Sequence, residues 1–91
     1  KIICQFDLNM KLINVWKYVG QASQSLNINR TAISMVCVGT HKTAGGFIWK
    51  YLYDQTHKDG AIIPGAITLG LISEEEALKQ LKSQKDTEGE N

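Results

Sequence analysis

The stretch VGQASQSLNINRTAISMVCVG, residues 19–39, decides the fold. Val19, Ala22 and Leu26 fall at i, i+3 and i+7, with Gln21, Ser23, Gln24 and Ser25 between them. That spacing puts one apolar stripe on a short helix. Asn27-Ile28-Asn29 breaks the period. Asn29 suits an N-cap, because its side-chain oxygen can accept from the first unpaired backbone N–H groups of a new helix. A second helix is expected from about Arg30 to Val38, with Ile33, Val36 and Cys37 inward, and Gly39 stands where a left-handed C-terminal cap belongs. Two short helices joined by a turn of about three residues predict helix-turn-helix geometry. Its buried positions would be Ala22, Leu26, Ile28, Ile33 and Val36, and the small Ala22 would let the helices approach closely.

Before this pair, Ile2 to Phe6 alternates, with Ile2, Cys4 and Phe6 on one face and Ile3 and Gln5 on the other. Asp7-Leu8-Asn9-Met10-Lys11 supplies a turn and Leu12 to Trp16 a return strand, which together read as a hairpin. After the pair comes a polar loop, Thr40 to Gly46, and then Phe47-Ile48-Trp49-Lys50-Tyr51 alternates again as a strand returning to the hairpin. Phe47, Trp49 and Tyr51 share one face and read as core, with stacking on bases as the competing use. The expected fold class is α+β. A small antiparallel sheet, made of the hairpin and the returning strand, packs on a helix-turn-helix and is followed by a linker and a short C-terminal helix.

Tyr53 to Thr68 lacks a clear period and reads as linker. Ser73-Glu74-Glu75-Glu76 opens a helix by capping-box logic: Ser73 caps, Glu76 reaches back, and three acids sit at the positive end of the helix dipole. Ala77, Leu78 and Leu81 give that helix a thin apolar stripe. The expected organisation is a helix-turn-helix module over 1–54, a linker or irregular extension over 55–72, a short acidic-start helix over 73–85 and a disordered tail over 86–91.

With 91 residues, 43% apolar and 21% charged, the chain has the size and composition of one small globular domain. A chain this short buries only about 60–65% of the surface its unfolded form exposes, so its stability margin is thin. The longest apolar stretch, Ala61 to Ile72, is interrupted by Pro64, Gly65 and Gly70 and is too short to cross a bilayer. No secretory signal opens the chain, and its start at Lys1 reads as a fragment of something longer. Cys4 and Cys37 are far apart, each among apolar residues, and read as buried free thiols of a reducing cytoplasm. The net charge of +1 hides an asymmetry: seven basic residues face three acidic ones through Asp59, and three face six from Gly60 onward.

Catalytic constellations are missing from the sequence. His41 and His57 have no acid at metal or triad spacing, and Ala44-Gly45-Gly46 is followed by Phe47 rather than by the lysine of a phosphate loop. No catalytic residue, metal or cofactor is expected in this segment. The second helix is the more informative feature. Asn29 at its tip and Arg30, Thr31 and Ser34 on its outer face can hydrogen-bond base edges if that end enters a major groove. Lys42 and Thr43 in the loop, and Lys50 on the last strand, can hold backbone phosphate. A solvated polar face is the competing reading of the same residues.

Residues 2–51 resemble the nuclease-associated modular DNA-binding domain of the first type, also called the intron-encoded nuclease repeat. The resemblance is carried by Gln5-Phe6-Asp7, Ala22, Leu26-Asn27-Ile28, Ile33-Ser34, Gly39 and above all the string Lys42-Thr43-Ala44-Gly45-Gly46-Phe47-Ile48-Trp49-Lys50-Tyr51. It covers just over half the chain. It implies a helix-turn-helix unit attached to HNH or GIY-YIG homing endonucleases of phages and mobile introns, binding one end of a long site while another domain cuts. That family usually has a serine at the position of Tyr18, which would cap the first helix; Tyr18 does not offer that cap. Nothing after Asp54 has a counterpart in the motif.

The resulting expectation is sequence-specific binding of double-stranded DNA, with no membrane and no small-molecule substrate as partner. The rival reading is a protein-interaction module that docks a partner through Leu78 and Leu81 of the C-terminal helix. Removing everything after Gly60 is expected to leave DNA binding intact and to abolish the rival's association. An endonuclease activity within the segment and single-strand binding are two further rivals.

Overall fold

The computed structural model describes residues 1–83. The expected disordered tail, 86–91, lies outside the described residues, as do the last two positions of the expected 73–85 helix. The fold is α+β, with elements in the order β1 (Ile3–Phe6), β2 (Leu12–Trp16), α1 (Val19–Leu26), α2 (Arg30–Cys37), β3 (Ile48–Tyr51), β4 (Gln55–Thr56), β5 (Ile62–Ile63) and α3 (Glu74–Ser83).

β1 is the middle strand of a three-stranded antiparallel sheet, flanked by β2 and β3. The β1–β2 turn is organised by Asp7, whose Oδ1 accepts from the N–H groups of Asn9 at 2.8 Å and Lys11 at 2.9 Å. Pairing jumps from Gln5–Asn14 to Phe6–Leu12, so Ile13 is the extra residue of a bulge. Simple alternation would have put Leu12 on the face of Trp16. The bulge turns it over, and Leu12 packs instead with Cys4, Phe6 and Val15.

The two faces of the sheet bury different sets of residues. Ile3, Trp16 and Trp49 pack with Ala22, Ile33, Val36, Cys37 and Ala44 under α1 and α2. Ala22 has no exposed surface and lets the helix pair close down, as its size suggests. Two polar groups enter this core, and both are paired. The Trp16 indole donates to Gln5 Oε1 at 2.9 Å, and the Trp49 indole to the Ala44 carbonyl at 3.0 Å. Phe47, Trp49 and Tyr51 all belong to this cluster, with Phe47 edge-on to Trp49 at 6.1 Å, so these aromatics serve packing.

The opposite face is covered by the segment expected as a linker or irregular extension. Cys4, Phe6, Val15 and Leu52 are fully buried there against Ala66 and Ala77. After Leu52 the chain makes the small β4–β5 hairpin, which borders the end of α2, and then returns through a run of turns whose Ala66, Ile67, Leu71 and Ile72 cover this face. Gly65 makes the fold-back possible. Its missing Cβ would stand 2.7 Å from the Tyr53 Cα and closer still to the Leu52 carbonyl, both fixed backbone. The Gly65 N–H donates to Asp54 Oδ1 at 2.8 Å, and the Ala66 N–H to the Tyr51 carbonyl at 2.7 Å. No periodicity announces this segment, because turns that pack through backbone contacts and single alanines leave none.

α3 starts as expected, with Ser73 Oγ accepting from the Glu76 N–H at 3.1 Å. Its stripe is spent inside the chain: Ala77 is buried and Leu81 packs on the second cluster, while Leu78 stays exposed. The apolar face that the partner-docking reading needed is therefore largely occupied by the protein's own sheet. Cys4 and Cys37 are both free and buried, and burial pushes each thiol up to about 12.

Candidate nucleic-acid interface

α2 begins with a built cap. Asn29 Oδ1 accepts from the Ala32 N–H at 3.1 Å, and the helix ends at Gly39, which takes φ +90°. α1 starts differently. Tyr18 is extended and makes no side-chain cap, but Gln21 Oε1 reaches back to the Lys17 N–H at 3.0 Å and fixes the entry of the chain. The turn between the helices is tied by Ser23. Its carbonyl accepts from the N–H groups of Asn27 and Ile28, and its Oγ donates to the Ile28 carbonyl at 2.6 Å. Asn27 takes the left-handed conformation, φ +56°, that asparagine tolerates best among residues with side chains. Ser23 is a residue that sequence reasoning passed over. Its role shows only once the turn is closed.

The loop after α2 is fixed at both ends. The N–H groups of Thr40 and His41 both donate to the Met35 carbonyl, at 2.9 and 3.2 Å. At the far end, Ala44 and Phe47 exchange two backbone hydrogen bonds around Gly45 and Gly46, whose φ values of +63° and +86° fit a type I′ turn. The string Thr43-Ala44-Gly45-Gly46-Phe47-Ile48-Trp49 thus has a mechanical reading. Two glycines supply the turn, and the Trp49 indole clamps the Ala44 carbonyl from below. Gly45 lies against Ile28, so the loop returns from the end of α2 to the turn that precedes it.

This frame distributes the candidate residues unequally. Asn29, Arg30 and Thr31 are exposed at the start of α2, and Lys42 and Thr43 are exposed on the anchored loop. Ser34 is half-buried, because with Arg30 it lines a hollow of about 280 Å³ shared with Lys1, Tyr18 and Tyr51. Lys50 does not join them. It lines a separate depression of about 550 Å³ with Gly39, Thr40, His57 and Ile62.

Charge is unevenly distributed, with Asp59 beside Lys50, Gly39 and Thr40 in the second depression. No acidic residue occurs between Asp7 and Asp54, a span that includes Lys11, Lys17, Arg30, Lys42 and Lys50. Glu74, Glu75 and Glu76 belong to α3, across the sheet from α1 and α2. Glu74 is engaged there by the Tyr53 hydroxyl, which donates to its Oε2 at 2.6 Å; that bond raises the Tyr53 pKa above its ordinary value. Among the described residues, no group of three or more His, Cys, Asp or Glu side chains is placed to hold a metal ion, and no helix is long and apolar enough to cross a membrane.

The chain is similar to an uncharacterized HNH endonuclease of Acanthamoeba polyphaga mimivirus, with 33% identity over 96 aligned residues that take in 98% of this chain and 29% of that protein. It is also similar to the probable mobile endonuclease B of Enterobacteria phage T4, with 39% identity over 54 residues, 58% of this chain and 20% of the relative. The chain thus spans less than a third of the length of either relative. No family model and no solved structure matches it. The similarity is to proteins named as endonucleases.

Proposed function

We propose that this chain is a DNA-targeting module of a homing-type endonuclease, with α1 and α2 acting as a helix-turn-helix on double-stranded DNA. The observation that carries the reading is the outer face of the helix pair: capped, exposed at its tip, bearing cations and lacking carboxylates over the whole span from Leu8 to Tyr53. A polyanion meets no carboxylate from the helix pair itself, the acids of α3 sit on the opposite side of the sheet, and Asp59 lies in the separate depression beside Gly39, Thr40 and Lys50. The similarity to two proteins named as endonucleases, each much longer than this chain, supports DNA as the partner. The motif string from Lys42 to Tyr51 supports the same module.

In this reading Asn29, Arg30 and Thr31 form the tip that meets the duplex, with Ser34 one turn further along. Lys42 and Thr43 hold the backbone from the anchored loop. Lys50 sits apart from this contact. With few cations available, binding is weak and steeply salt-dependent, each neutralised phosphate contributing about −0.9 to the slope of log K against log salt.

The test is fluorescence anisotropy with a labelled mixed-sequence duplex across a salt series, run beside the matching single strand and a magnesium-dependent cleavage assay. The reading expects duplex binding stronger than single-strand binding, no cleavage, and a loss for Lys42→Ala that is equal across sequences and larger than for Lys50→Ala. Preference for the single strand, or cleavage by this chain alone, would overturn it.

A further inference from the structure

The hollow beside α2 has a composition that the helix-turn-helix reading alone does not use. Two cations, Lys1 and Arg30, line it together with the hydroxyl-bearing Ser34, Tyr18 and Tyr51, and no carboxylate does. Lys1 Nζ lies 5.3 Å from the centroid of the Tyr51 ring, which holds its charge at the rim. Arg30 has no carboxylate partner among the described residues. Its guanidinium turns back over the first turn of α1, where Nη2 lies 3.7 Å from the position a Cβ on Gly20 would take, an ordinary contact distance, with the Tyr18 ring at 3.2 Å from the same point. Arg30 and Ser34 are one helical turn apart and face the same space.

We infer that this hollow is a phosphate-binding site, in which Arg30 and Lys1 supply the charge and the Ser34 and Tyr18 hydroxyls supply further donors. A guanidinium offers a planar fork of N–H groups that matches two phosphate oxygens. The inference rests on the proposed function for the source of the phosphate, a backbone phosphodiester of the bound duplex. It also changes the role of Arg30. A side chain folded back over α1 anchors the backbone and sets the register of α2, leaving base edges to Asn29 and Thr31.

Two titrations of the 91-residue chain, followed by NMR at constant ionic strength, test this. Inorganic phosphate is expected to shift the Arg30 Nε–Hε signal and the backbone amides of Ser34 and Tyr18, while amides around Lys50 and His57 stay unmoved. Arg30→Ala abolishes these shifts and Arg30→Lys keeps part of them; Arg30 is exposed, so neither change disturbs the core. With the duplex, Arg30→Ala is expected to weaken unrelated sequences by one common factor and to lower the salt slope by about 0.9. Phosphate that leaves the hollow's signals unmoved overturns the inference, as does a loss confined to one sequence with the slope unchanged. Phosphate binding in the hollow without any duplex binding supports the site, and the failure then belongs to the proposed function.

Discussion

Gly45 lies against the side chain of Ile28, so close that a Cβ on it would stand 2.7 Å from Ile28 Cγ1 and nearer still to Cδ1. This contact joins the loop carrying Lys42 and Thr43 to the turn between the helices. Gly45 also takes φ +63°, a conformation costly for any residue with a side chain. Gly45→Ala is therefore expected to destabilise the fold by roughly 1–3 kcal/mol, read as a lower urea midpoint. Ile28→Val removes the nearest methyl. The double variant should recover part of the loss, and an additive outcome would argue against the contact.

The Gln5–Trp16 hydrogen bond is the second point of strain if broken. Gln5 is buried, and its Oε1 accepts from the Trp16 indole N–H. Gln5→Leu keeps the bulk of the side chain but orphans that donor, at a cost of about 1–3 kcal/mol in the unfolding free energy. A change under about half a kcal/mol in chemical denaturation would mean that water reaches the indole.

Removing residues 61–91 tests the division of labour between the two faces. Phe6, Val15 and Leu52 would lose Ala66, Ala77 and the half-buried Ile67, Leu71, Ile72 and Leu81 that cover them. Re-exposing each large apolar side chain costs about 1.5–3 kcal/mol, so three of them rival the whole stability of a small domain, about 5–15 kcal/mol. The shortened chain is expected to lose cooperative unfolding by circular dichroism. This reverses the expectation from sequence that binding survives such a deletion.

That reversal marks where the sequence stops being legible. The helix pair was readable because Ile33, Val36 and Cys37 repeat at helical spacing, Asn29 is a strong cap, and Gly39 ends the helix with φ +90°. The sheet was readable from alternation, except at Ile13, where a bulge inverts the face of Leu12. Residues 52–72 were not readable. Gly65 works through an absent atom, and Ala66 through being small, and neither property produces a pattern. The candidate residues are read from sequence on one helix, one loop and one strand, but their sorting into hollow, tip and separate depression depends on how β3 and α2 pack, which spacing does not carry.

Asp54 makes the covering segment sensitive to acid. Its Oδ1 accepts from the Gly65 N–H at 2.8 Å and from the Thr68 hydroxyl at 2.6 Å, and these bonds, the first most, hold its pKa below the usual aspartate value. A carboxylate with a depressed folded pKa stabilises the fold above its unfolded pKa and loses that contribution as pH falls through the folded one. Stability should therefore drop below about pH 4, near the ordinary aspartate value. Asp54→Asn should flatten that part of the profile of urea midpoint against pH. An unchanged profile would place the acid sensitivity elsewhere.

The most direct measurement is an NMR footprint of a mixed-sequence duplex on the 91-residue chain at low salt. The account predicts amide shifts concentrated in 29–34 and 40–45 with the first turn of α1, and α3 and the β4–β5 hairpin unaffected. A footprint on α3, or shifts spread evenly over both faces of the sheet, would contradict it.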